Sequence, residues 1–107
     1  MTRIELIELI GDVLTQLDVL IGSMSPSDPD RTPFITARKQ LDKLQLSLAQ
    51  QVFDDNTKKY KDAAAELEKV NNELQKIIND LEKIVKTLET INRFIGAVDK
   101  IIQAVLP

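Results

Sequence analysis

The chain has 107 residues, 43% of them apolar and nearly all of those aliphatic, with a net charge of −3 from 14 basic and 17 acidic side chains. That suffices for one small domain with one modest core, and the composition is too apolar for a disordered chain. Histidine, cysteine and tryptophan are absent, which removes thiol nucleophiles, disulfides, zinc knuckles and the commonest general base.

The mildly acidic balance speaks against nucleic acid as a partner, because such binders carry a basic excess or a basic face. No apolar run approaches the roughly 18–20 residues of a membrane span. The opening "MTRIELIELIGDVLTQLDVLIG" is aliphatic, but Glu5, Glu8, Asp12 and Asp18 interrupt it and no basic segment precedes it, so it does not read as a signal peptide. The cytoplasm is the default expectation.

A first helix is expected over residues 2–21. Thr2 and Glu5 have the spacing of a capping box, and Leu6, Ile10, Val13, Leu17 and Leu20 recur every three or four residues, which draws one apolar stripe. Gly22 has the place of a C-terminal cap. Gly11, inside the helix, costs about 1 kcal/mol against alanine and suggests either a close helix crossing or a tolerated imperfection. Residues 23–32 form a loop, "SMSPSDPDRT", followed by Pro33. Its aspartates lack the further ligands and glycine of a calcium loop, so turn chemistry accounts for them.

A second helix is expected over residues 33–53, with Thr32 as N-cap and Pro33 in its first turn. Phe34, Leu41, Leu44, Leu48 and Val52 share one face. Arg38, Lys39 and Lys43 give this helix an excess of positive charge opposite the acidic first helix, which favours pairing the two as an antiparallel hairpin. Asp54–Thr57 read as a turn, since such residues cap helices well and sit poorly inside them. "KKYK" at 58–61 is a basic run with an aromatic. Tyr60 extends the apolar column that follows, and the run reads as a solvated helix start.

From Glu66 onward the chain repeats in sevens: ELEKVNN, ELQKIIN, DLEKIVK, TLETINR, FIGAVDK, IIQAVLP. The second column is Leu67, Leu74, Leu81, Leu88, Ile95 and Ile102. The fifth is Val70, Ile77, Ile84, Ile91, Val98 and Val105. An unslipped heptad pattern of this length predicts one long helix over residues 57–106. Glu66–Lys69, Glu73–Lys76, Asp80–Lys83, Glu82–Lys86 and Glu89–Arg93 have the spacing of ion pairs along its surface.

The expected fold is therefore a single all-α domain over 1–107, an antiparallel helical bundle of three long helices, with a bend at Gly96 as the way to a fourth. The first two helices, about 30 Å each, cover only half of the third. An apolar stripe of this size demands a cover. Leucine in one column and Ile/Val in the other matches a pattern that, in parallel coiled coils, leans toward more than two strands. The candidate interface for a homo-oligomer or another protein is Leu74, Ile77, Leu81, Ile84, Leu88, Ile91, Phe94, Ile95, Val98, Ile102 and Val105.

No catalytic, cofactor or metal site is expected. The three glycines are isolated, so there is no phosphate loop, and the acids fall on solvent-facing helical positions. The leading expectation is a non-catalytic structural or interaction module that self-associates through the heptad helix. A second is a membrane-surface protein using Phe94, Ile95, Val98, Ile101, Ile102, Val105 and Leu106, although a basic polar face is missing. A third, an adaptor or antitoxin- or immunity-type protein that binds another protein, shares every feature with the first.

Overall fold

The computed structural model of the chain describes residues 1–106. Four helices form: α1 (Arg3–Ser23), α2 (Arg31–Ala49), α3 (Lys58–Gln75) and α4 (Ile84–Val105), with a short 3₁₀ turn at Leu81–Lys83. Among the described residues there is no strand. The bundle measures 44 × 24 × 17 Å.

α1 begins with the expected capping box. The Thr2 hydroxyl accepts from the Glu5 amide, and the Glu5 carboxylate accepts from the Thr2 amide. Those bonds to the ionised form hold the Glu5 carboxyl below its ordinary pKa. The helix runs past Gly22 to Ser23, and Met24 rather than Gly22 is the C-terminal cap. No glycine has a positive φ among the described residues, so the cap needs no left-handed residue. A Cβ placed on Gly11 would lie 3.2 Å from Nε2 of Gln45 on α2. That amide donates to the Ile7 carbonyl, so the glycine marks a close α1–α2 approach.

α2 starts at Arg31, two residues before the expected boundary, with Asp30 in the cap position. Pro33 is tolerated because amides of a first turn have no helical partner to lose. The helix stops at Ala49 instead of 53. Phe53 leaves the helix to pack against the Tyr60 ring, with centroids 5.4 Å apart. Arg3 also closes the helix end from outside. Its Nε donates to the Gln51 carbonyl at 2.6 Å and its Nη2 to the Ala49 carbonyl at 2.9 Å. Its own amide donates to Asp55 Oδ2. One side chain from the first turn of α1 thus holds the α2–α3 connection. Thr57 then caps α3 by accepting from the Tyr60 amide.

The principal correction concerns the heptads. The expected single helix over 57–106 is two helices folded back on each other, and the bend lies at residues 76–83, not at Gly96, which is inside α4. The amides of Ile77 and Ile78 both donate to the Leu74 carbonyl. The Asp80 amide donates to the Ile77 carbonyl, and the Asp80 carboxylate accepts from the Glu82 amide. Asn79 and Asp80 supply the turn. Their short polar side chains compete for backbone partners and favour caps over helix interiors. Folding back also solves the length problem, since α3 and α4 cover one another from end to end.

α2 packs beside α1 and α4, and α4 beside α3. Gln16 bonds Gln75, and the Tyr60 hydroxyl donates to the Thr2 carbonyl, which lays α3 along α1 and closes the ring. α1 and α3 run one way and α2 and α4 the other. The core holds Leu6, Ile10, Val13 and Leu17 of α1, Phe34, Leu41 and Leu48 of α2, Tyr60, Leu67 and Leu74 of α3, and Ile91, Phe94, Val98 and Ile101 of α4. The charge complementarity expected of α1 and α2 is realised as Arg38–Asp18. Glu73 pairs with Arg93 across α3 and α4, in place of the expected Glu73–Lys76 and Glu89–Arg93 pairs along one helix.

Candidate functional site

The eleven candidate interface residues divide by burial. Leu74, Ile77, Ile91, Phe94, Val98 and Ile102 are buried in the chain's own core, so for these the intermolecular assignment is corrected. The cover they require is α1, α2 and the other half of the hairpin. Leu81, expected in a packed seam, is 57% exposed because it opens the 3₁₀ turn. Ile84, Leu88, Ile95 and Val105 are half-buried.

In α4 the two heptad columns separate. The fifth column, through Ile91 and Val98, faces the interior. The second column, through Leu88 and Ile95, lies on the edge toward α2. Val85, 65% exposed, lies on this side of α4 in its first turn. It was outside the predicted set because it is in neither column. Only the position of the turn, which the heptads conceal, brings it forward.

Beyond Val85 the edge opens on a groove between α2 and α4, about 460 Å³ in volume. Leu44 and Ile95 give it apolar walls, with Gln40, Lys43, Asn92 and Asp99 on its rims. Gly96 also borders it, and a Cβ there would meet nothing within 4 Å. At the turn end Val19 and Leu81 flank a second concavity of about 230 Å³. A third, about 360 Å³, lies outside α3 and α4 among Glu73, Lys76, Lys86, Thr90 and Arg93. Its Arg93 is engaged with Glu73, and Thr90 donates to the Lys86 carbonyl.

Tyr60 is buried, and its phenol is pushed up to about 12, first by burial and then by the charges of Asp55, Glu5 and Glu68. That keeps it a neutral hydrogen-bond donor to the Thr2 carbonyl. Arg38 and Lys58 are raised by their bonds to Asp18 and Asp62. Among the described residues no three His, Cys, Asp or Glu side chains are placed to share a metal ion, and no helix is long and apolar enough to cross a membrane.

No family model, no curated protein and no solved structure matches the chain. The fold places it among all-helical four-helix bundles, with a partly uncovered aliphatic edge on the last helix.

Proposed function

We propose that the chain is a non-catalytic interaction module that self-associates through the outer edge of α4. The observation that supports this reading is the edge itself. Leu81 and Val85 are exposed, and Leu88 and Ile95 are half-buried beside the α2–α4 groove. Val85, Leu88 and Ile95 lie on one side of α4, with Leu81 in the turn that precedes it, and burial by a partner recovers about 25 cal/mol per Å². A scattered set of single exposed residues would carry no such meaning.

The burial pattern weighs against a lipid face. Phe94, Val98, Ile101 and Ile102 are interior, and presenting them to a membrane requires opening the bundle. Sedimentation equilibrium over a concentration series tests the proposal, with Val85→Asp as the variant. Val85 is exposed, so the substitution leaves the monomer folded. Wild-type protein should form a species of twice 12.1 kDa that Val85→Asp weakens. If both proteins remain monomers at every concentration, the edge serves a different protein and the self-association reading fails.

A further inference from the structure

The concavity of about 360 Å³ outside the α3–α4 hairpin is lined by Glu73, Lys76 and Ile77 on one arm and by Lys86, Thr90 and Arg93 on the other. It lies on the α3 side of α4, whereas the aliphatic groove lies on the α2 side. Three cations against one carboxylate leave its lining two charges positive, in a chain whose net charge is −3. The spacing of Glu73–Lys76 and of Glu82–Lys86 would neutralise both lysines along the chain. Neither pair forms, and among the described residues Lys76 and Lys86 make no ion pair. Arg93 meets Glu73 through Nη1 alone, which leaves the rest of the guanidinium fork open.

A second observation points to the same place. Thr87 and Thr90, 1% and 3% exposed, are the only buried polar side chains among the described residues. Thr90 lines the pocket, and Thr87 donates to the carbonyl of Ile77, which lines it too. Valine would fill either position with the same outline and without burying a hydroxyl, so packing alone does not call for threonine. Thr90 Oγ1 donates to the Lys86 carbonyl at 2.8 Å. That carbonyl also accepts the Thr90 amide as the helix requires, so it keeps a partner when the hydroxyl leaves. Threonine in a helix divides between two χ1 rotamers, and a change of rotamer frees the hydroxyl for another acceptor.

We propose that this pocket binds the phosphoryl group of a small phosphate monoester. Such a group carries about −1.5 to −2 charges at neutral pH and three strong acceptor oxygens, which matches the net charge of the lining and its three cationic side chains. Lys76 approaches from the end of α3 and Lys86 and Arg93 from α4, so the donors reach the group from both arms. Glu73 fixes Arg93 against α3, and Thr90 adds its hydroxyl. Ile77 gives an apolar wall for the carbon part of the ester. The volume is near the lower bound of ligand sites, about 300–1,000 Å³, so the ligand is small. The site is separate from the edge proposed for self-association and stands whether or not that association occurs.

Titrating the wild-type chain with glycerol 3-phosphate, followed by proton–nitrogen NMR at constant ionic strength with sodium chloride as the balancing salt, tests the site. Saturable amide shifts centred on Lys76, Ile77, Lys86 and Thr90 are expected. Shifts that never saturate, or that chloride alone reproduces, would overturn it. Lys76→Gln/Lys86→Gln should weaken binding roughly tenfold, because two exposed charge contacts are lost. Lys39→Gln/Lys61→Gln makes the same change of net charge at exposed positions elsewhere and should leave binding unchanged. Equal weakening by the two double variants would show a general charge effect and no site.

Thr90→Val should weaken binding severalfold while the melting temperature holds or rises, which separates a ligand contact from a structural role. Unchanged affinity in that variant would overturn the part given to the hydroxyl. Inorganic phosphate should bind more weakly than the ester, since it leaves the Ile77 wall uncovered; equal affinity would reduce the site to one for the ion alone. Vesicles of phosphatidylcholine with phosphatidic acid present the same group on a lipid. Binding to these vesicles without binding to glycerol 3-phosphate would overturn the small-molecule assignment.

Discussion

Removing the Arg3 side chain by Arg3→Ala should lower stability more than an N-terminal surface substitution ordinarily does. Its guanidinium donates to the carbonyls of Gln51 and Ala49, at 2.6 and 2.9 Å, and its Cζ lies 6.0 Å from the centre of the Phe53 ring. Hydrogen bonds to a charged donor contribute about 1.5–3 kcal/mol each, but this site is only partly buried and water replaces part of the loss. The two bonds together with the ring contact therefore give roughly 2 kcal/mol. For a domain of this size that corresponds to a fall in melting temperature of roughly 8–16 °C. Two-state urea unfolding followed by circular dichroism reads the same quantity as a shift in midpoint at constant slope. Arg3→Lys should recover less than half of the loss, since an ammonium lacks the planar fork that reaches two carbonyls. A loss under about 0.5 kcal/mol, typical of a plain surface change, would show that water satisfies those carbonyls equally well. The idea that Arg3 secures the end of α2 would then be wrong.

Gly96→Ala should stabilise the protein by about 0.5–1 kcal/mol, because the site is helical and a Cβ there meets nothing. Gly11→Ala should gain less or lose stability, since its Cβ crowds Gln45; thermal melts of the two variants separate the cases. Ile91→Ala should cost about 2–5 kcal/mol as a fully buried deletion, while Leu81→Ala in dilute monomer should cost under about 1 kcal/mol, both measurable in urea. The Tyr60 phenol has its folded pKa raised to about 12 from 10.0. Its contribution is complete below pH 10 and is lost as pH rises through 12. Alkaline unfolding should thus be postponed in Tyr60→Phe relative to wild type, and equal sensitivity in the two proteins would deny the tyrosine that part.

The helical fold was legible because periodicity at three and four residues survives in every segment, and the caps at Thr2 and Thr57 have their usual chemistry. The antiparallel α1–α2 hairpin was legible from its charges, of which Arg38–Asp18 is the realised pair. The α3–α4 turn was not. Asn79 and Asp80 are its only local signals, and they stand inside a heptad pattern that fits a straight helix equally well. Ending α2 at Ala49 depends on Arg3, some 45 residues away in sequence, and on the Phe53–Tyr60 contact. No local pattern encodes either. The candidate interface was legible only as a stripe. Which residues remain outward depends on where the stripe folds back, which is why Val85 enters and Phe94 leaves.

The dependence of the wild-type urea midpoint on protein concentration tests self-association most directly. A copy that binds the folded chain stabilises it by mass action, by about 2.7 kcal/mol at a hundredfold excess over the dissociation constant. The account predicts a midpoint that climbs steadily as the protein is concentrated and stops climbing in Val85→Asp. A wild-type midpoint that stays constant over the whole range would contradict it.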